Sequence, residues 1–394
     1  MTLAARPSDL SPAAAAPADV LFKNARVVLE DEVIEGALRV QGGVIAEVAP
    51  GATSAPGVDC EGDLLIPGLI ELHTDNLERH MQPRPGVKWP ADAAVVAHDA
   101  ELASVGIATV FDAIRVGSVM SYAKSNYGAY ARGAADEILA LKRAGALRIG
   151  HFIHLRAEIC SETLLEEMDA FGTEDEVRIV SLMDHTPGFR QFRDVSKLRQ
   201  YHEGKYGSHD LNFEDYIAFL TELKARVGEA HEAGAVARAE AMGAVLASHD
   251  DTETAHVDAS ARHGARLAEF PTTREAAEAC RREGIAVMMG APNLLRGGSH
   301  SGNVAAQELA EAGLLDILSS DYAPSSLLMG AVKLGRESGD MAAGLRTVTA
   351  APAAAAGLQD RGAIRPGLRA DLARVNDAHA APATRGLWVG GRQV

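Results

Sequence analysis

Cysteine is scarce in this 394-residue chain: three residues, Cys60, Cys160 and Cys280, stand far apart and form no C-x-x-C pair. That excludes a thiolate metal site and a disulfide framework, and it fits a reducing compartment. Long apolar runs are missing too. None approaches the roughly 18–20 residues of a membrane helix, so no membrane partner is expected. Positive charge is short: 38 Lys and Arg stand against 54 Asp and Glu, a net charge of −16. Such a balance argues against nucleic acid as a main partner, because phosphate backbones are bound by basic faces. Pro7, Pro12 and Pro17 break up the Ala-rich start. Residues 1–18 therefore read as a flexible tail and not as a signal peptide, which predicts a cytoplasmic location.

What is present is ordinary globular composition, 47% hydrophobic and 23% charged, in a chain long enough for a large core without staples. Residues 19–60 alternate in the manner of antiparallel strands, with Gly42-Gly43 as a turn, and the last segment has the same texture around Gly390-Gly391. Between them the texture changes. Eight apolar runs follow one another: LLIPGLIEL (64–72), IATVFDAI (107–114), RIGHFIHL (148–155), VRIVSLM (177–183), GAVLASH (243–249), ARLAEF (265–270), IAVMMG (285–290) and LLDILSSD (314–321). Helical segments separate them. In one, Phe213, Tyr216, Ile217 and Leu220 keep i, i+3, i+4, i+7 spacing behind Asn212 as N-cap. Eight βα units in about 300 residues predict an α/β fold of the (β/α)8 barrel type. A doubly wound open sheet would produce the same periodicity.

In a barrel the chemistry gathers at the C-terminal ends of the strands. Here the first run ends in His73-Thr74-Asp75 and the third runs into Glu158. The fourth ends in Asp184-His185, the fifth in His249-Asp250-Asp251 and the eighth in Asp321. Imidazoles and carboxylates together are the donor set of a Zn2+- or Mn2+-type divalent site. No single piece is specific. H-x-D occurs again at His256-Val257-Asp258, off any apolar run, where a surface position is expected. The placement of the set is what counts, since ionisable groups buried on one face without a partner would cost several kcal/mol each. A structural layer of salt bridges is the rival account.

A second group suits an anion. Arg79, His80, Arg84 and Lys88 crowd the segment after His73. The seventh run is followed by APNLLRGGSHSGN, in which Arg296, Ser299 and His300 surround glycines whose backbone N–H groups can meet phosphate oxygens. Arg156 and Arg190 add charge near the third and fourth strand ends. In a barrel the loop after strand seven is a frequent phosphate site.

These segments resemble a known family. PGLIELHTD on the first strand with a strand-eight aspartate resembles the amidohydrolase superfamily. The longer stretches GLIELHTDNLERHMQPRPGVKWP (68–90), HLRAE (154–158), LMDHTPGFRQF (182–192), SHDD (248–251), EFPTT (269–273), GAPNLLRGGSHSGN (290–303) and SSDYAPSSLL (319–328) are similar to the α-D-ribose 1-methylphosphonate 5-triphosphate diphosphatases of the carbon–phosphorus lyase pathway. The resemblance spreads over most of residues 60–330. It implies a TIM-like barrel over 61–360 carrying a small bipartite β-sandwich from 19–60 and 361–394.

It also implies a small-molecule partner, a phosphorylated ribose phosphonate, whose phosphoanhydride is hydrolysed with release of pyrophosphate. His73, Asp75, Glu158, His185, His249 and Asp321 would then hold one or two divalent ions, Zn2+ or Mn2+. Asp321 would serve as general base, and Arg79, Lys88, Arg156, Arg190, Arg296, Ser299 and His300 would meet the substrate. Two departures from the wider superfamily stand out. Asp75 replaces the second imidazole of the commoner H-x-H, and Glu158 stands where many members have a carboxylated lysine. Both make the site richer in oxygen and pull it toward Mn2+ or Mg2+. The same ligands polarise a carbonyl, so a cyclic amidase or deaminase on this scaffold is the second reading, and a binding protein without activity the third. Assembly into a homo-oligomer is compatible with all three.

Overall fold

The structure is a computed structural model that describes residues 19–121, 129–188, 190, 213–299 and 302–394. Two sheets organise it. The smaller begins with β1 (Val20–Val28), β2 (Val33–Gln41), β3 (Val44–Pro50), β4 (Val58–Asp59) and β5 (Leu64–Pro67). The barrel follows as β6 (Leu69–Thr74), β7 (Ile107–Val116), β8 (Gly150–Glu158) and β9 (Val177–Met183), then β10 (Val245–His249), β11 (Leu267–Glu269), β12 (Ala286–Gly290) and β13 (Ile317–Ser319). The chain returns to the first sheet with β14 (Leu372–Asn376), β15 (Ala383–Val389) and β16 (Arg392–Gln393).

All eight expected βα strands are present, parallel, and paired in sequence order from β6 to β13. The open-sheet alternative fails because first and last strand meet. Thr74 bridges Asp321 in parallel, and its Oγ1 donates to the Asp321 carbonyl at 2.6 Å. Glu71, fully buried, ties the same seam. Its carboxylate accepts from the Ser320 N–H at 2.6 Å, the Ser319 hydroxyl at 2.8 Å and the His73 N–H at 2.8 Å. Below the mouth the interior is filled by Leu72, Phe111, Ile179, Val245, Leu267 and Met288, so the barrel is a packed core and not a pore.

The first apolar run is not one strand. It divides at Gly68 into β5, which pairs with β1 and β14, and β6, which starts the barrel. A Cβ at Gly68 would lie 2.4 Å from the Ala108 Cβ, so the crossing from one sheet to the other requires glycine. The smaller sheet runs β16-β15-β14-β5-β1-β2-β3 and is mixed: β1 pairs in parallel with β4 and β5, against the purely antiparallel expectation. It is one continuous sheet that folds over its own core. Trp388 on β15 lies three strands from Phe22 on β1, about 14 Å in a flat sheet, yet their rings meet edge to face at 4.8 Å.

The helix expected behind Asn212 runs Phe213–Met242 and buries Leu220 and Leu223, while Asn212 itself lies outside the described residues. No described helix is long and apolar enough to cross a membrane.

Candidate metal centre

The strand ends turn their polar side chains into the mouth through local irregularities. On β6 three residue steps, Glu71 to Thr74, match two on β7, Val110 to Asp112. This bulge reverses the alternation that places Leu72 inside and brings the His73 ring to 5.1 Å from His154 and 5.5 Å from His249. Of the seven non-glycine residues with positive φ among the described residues, four lie in the segments that leave strand ends: Arg190, Asp250, Phe270 and Asp321. Strain of this kind is held only where the surroundings over-determine it, and it marks functional sites.

Two ligand-like groups form among the described residues. His185, His249 and Asp250 bring one ligand atom each within 4.8 Å of one another, and so do His73, His249 and Glu269. His249 Nε2 stands 3.3 Å from Asp250 Oδ2, and His249 Nδ1 stands 2.9 Å from Glu269 Oε2. His73 Nδ1 is 3.0 Å from that same oxygen but off the line of a hydrogen bond. His185 Nδ1 meets Glu158 Oε2 at 2.5 Å. Phe270 walls the cluster edge-on at 5.1 Å from His73 and 5.4 Å from His249.

The electrostatics follow from burial against charge. Burial drives His249 down to about 3 and His154 to about 4, so both are neutral imidazoles at pH 7. It would do the same to His73 and His185, but Glu269 and Glu158 outweigh it and raise both. Burial pushes Asp250 up to about 7, and burial together with the Asp75 carboxylate pushes Asp321 up to about 7. Glu269 is held well below the usual range by His73, His154 and His249, against burial.

A cation suits this set. His73 Nδ1, Asp250 Oδ2 and Glu269 Oε1 are buried polar atoms with no hydrogen-bond partner, a costly state that positive charge would relieve. Neutral imidazoles and carboxylates are the donors a Zn2+- or Mn2+-type ion takes.

The remaining expected residues separate. Glu158 and Asp321 are in neither group, and nor is Asp75. It stands at the N-cap of the helix Asn76–Met81, 3.7 Å from Arg156, near enough to Asp321 to raise that carboxyl. Arg156 projects from β8 between the layers of His154 and Glu158, and its Nε is buried without a partner. Asp184 is drawn away into an ion pair with Lys224.

Two of the arginines expected to meet an anion, Arg79 and Arg190, pair with the protein's own carboxylates. Arg79 turns to Glu101, at 2.5 Å, on the helix Ala91–Ser104. Arg190 donates to the His249 carbonyl and to Asp251, both at 2.7 Å. Lys88 is exposed. Arg296 is not in a loop: APNLLR forms the helix Ala291–Arg296, and Arg296 is exposed on its last turn before Gly297 in the left-handed region. Ser299 is half-buried, and His300 lies outside the described residues. His256 is half-buried on the helix Thr254–Arg262, where its Nδ1 accepts from the Thr252 N–H at 3.2 Å.

Sequence reasoning missed Glu269, although the signal was there. It is the last polar residue of the run ARLAEF, one place before its end, as His249 ends GAVLASH, and the two are register partners on β10 and β11. Asp250 was in view beside His249 but was not singled out.

The Amidohydrolase family model matches residues 160–394, more than half of the chain. The chain is 44% identical over 360 residues to the alpha-D-ribose 1-methylphosphonate 5-triphosphate diphosphatase of Escherichia coli (strain K12), covering 90% of this chain and 94% of that protein. Among solved structures, N-acetyl-D-glucosamine-6-phosphate deacetylase from Mycobacterium smegmatis is similar with a TM-score of 0.60 at 16% identity, covering 95% of this chain and 99% of that one. The 5-methylcytosine deaminase from Klebsiella pneumoniae is similar with a TM-score of 0.58 at 15% identity, covering 95% and 97%. At those identities the two structures speak for the fold alone. The chain therefore belongs to the amidohydrolase family and, within it, to the family of the Escherichia coli diphosphatase.

Proposed function

We propose that this chain hydrolyses a phosphoanhydride of α-D-ribose 1-methylphosphonate 5-triphosphate, releasing pyrophosphate and leaving the 5-phosphate. The observation that carries the reading is the 44% identity to the diphosphatase over nearly the full length of both chains. The mouth suits the chemistry.

His73, His185 and His249 with Glu158, Asp250 and Asp321 would hold one or two divalent ions, Zn2+ or Mn2+, and Asp75 completes the rim beside Asp321. A divalent cation supplies a Lewis acid that acidifies water and offsets phosphoryl charge. The chain does the rest. An Asp321 carboxylate oxygen takes the proton of the attacking water. Arg156 offers its unpaired Nε–H to a phosphoryl oxygen, a charge-assisted bond of roughly 1.5–3 kcal/mol. Phe270 packs edge-on against the His73 and His249 imidazoles.

The test is phosphorus NMR of the metal-loaded protein with the triphosphate. Pyrophosphate and a 5-phosphate should appear together. An intact triphosphate with bound metal, or stepwise loss of single phosphates, would remove this reading.

A further inference from the structure

Glu269, a member of one of the two ligand-like groups above, lies at the centre of the imidazoles. It is fully buried on β11 and is the direct register partner of His249 on β10. The Asp250 N–H donates to its carbonyl at 2.9 Å, so the two strand ends are locked together beside the site. Its Oε2 is 2.9 Å from His249 Nδ1 and 3.0 Å from His73 Nδ1. His154 stands farther from this carboxylate, its Nε2 3.5 Å from Glu269 Oε1. Its Nδ1–H donates to the Leu72 carbonyl at 2.8 Å, which leaves Nε2 to accept from the Ser181 hydroxyl at 2.9 Å.

The separations distinguish a ligand from an anchor. Two donors on one tetrahedral ion, each about 2.0–2.1 Å from it, lie about 3.3 Å apart. His249 Nε2 and Asp250 Oδ2 have that spacing, 3.3 Å. His249 Nδ1 and Glu269 Oε2, at 2.9 Å, have the spacing of an N–H···O bond. The cation side of His249 is therefore Nε2, and the Glu269 side is Nδ1.

We infer that Glu269 is a positioning residue: it holds the proton of His249 on Nδ1 and faces His73 with the same oxygen, so that one buried carboxylate orients imidazoles from two walls of the barrel toward the metal. The inference rests on the metal-dependent reading above. A carboxylate behind a ligating histidine fixes its tautomer and ring plane, and its loss typically weakens metal binding about 10–100-fold.

The test uses the full chain and Zn2+ alone, without substrate. Nitrogen-15 NMR of the histidine rings, with His249 assigned by its loss in His249→Gln, should show Nδ1–H in the metal-free protein, and that signal should persist after Zn2+ loading. Glu269→Gln should bind Zn2+ about 10–100-fold more weakly by competition with a chelator, with His249 divided between tautomers. A proton on Nε2 in the wild type, loss of the Nδ1–H signal on loading, or wild-type Zn2+ affinity in Glu269→Gln would each overturn the inference. A wild type that binds no divalent ion would overturn the metal-dependent reading instead, and the tautomer of the metal-free protein would still decide the role of Glu269. That spectrum needs no substitution, so it stands even if Glu269→Gln fails to fold.

Discussion

Behind the mouth, between β7, β8 and the helix Ala91–Ser104, five polar side chains form a buried chain. The Asn76 amide donates to His98 Nδ1 at 3.0 Å, and His98 Nε2 donates to Asp112 at 2.9 Å. The other Asp112 oxygen meets His151 Nδ1 at 2.8 Å, and His151 Nε2 lies 3.4 Å from Asp99. Burial alone would lower the His151 pKa, but Asp112 and Asp99 outweigh it and raise it to about 9. The sign follows. A folded pKa above the unfolded value of about 6.5 contributes stability that is complete below pH 6.5 and is lost as pH rises through about 9. The difference of about 2.5 pH units amounts to about 3 kcal/mol.

Asp112→Asn keeps the shape and removes the main partner, leaving His151 with Asp99 at the longer distance. Breaking a buried pair costs about 3–5 kcal/mol. Denaturant unfolding at pH 6.5 should therefore place the variant well below wild type, and at pH 9 the gap should shrink, because wild type has then lost the contribution the variant never had. A gap of equal size at both pH values would refute the reasoning, since the ionised His151–Asp112 pair would then contribute nothing. The chain ends at Asn76, next to Asp75, so the variant also tests whether this layer steadies the rim.

Three further outcomes are expected. His185→Ala and His249→Ala should each lose bound divalent metal and turnover while keeping the fold by circular dichroism, and full metal content in both would undo the ligand assignment. Asp321→Asn should lower turnover by roughly 10²–10⁴-fold, with metal content measured alongside, and near-wild-type rates would move the proton to another group. Burial pushes Cys60 up to about 11 and Cys160 and Cys280 up to about 12, so at pH 8 about one thiol in a thousand or fewer is ionised. Iodoacetamide should leave all three untouched in the native protein and label them in denaturant, and labelling of the native protein would contradict the burial.

The sequence by itself determined the eight βα strands, because strands buried on both faces read as continuous apolar runs whatever surrounds them. It also placed His73, Glu158, His185, His249 and Asp321 at their ends, since a polar residue that closes an apolar run marks where a strand reaches the mouth. Three things were decided only by the tertiary structure. A bulge, set by the pairing of β6 with β7, turned His73 inward, and single-residue parity of that kind leaves no trace in composition. The crossing at Gly68 split one apolar run between two sheets, because only packing against Ala108 forbids a side chain there. The arginines were read from their charge, but charge chooses the nearest opposite charge in space. Arg79 found Glu101 and Arg190 found Asp251, partners more than twenty and about sixty residues away, while Arg156, enclosed by the barrel wall, kept an unpaired Nε. Distance along the chain says nothing of such pairings, and the closed barrel alone brings them together.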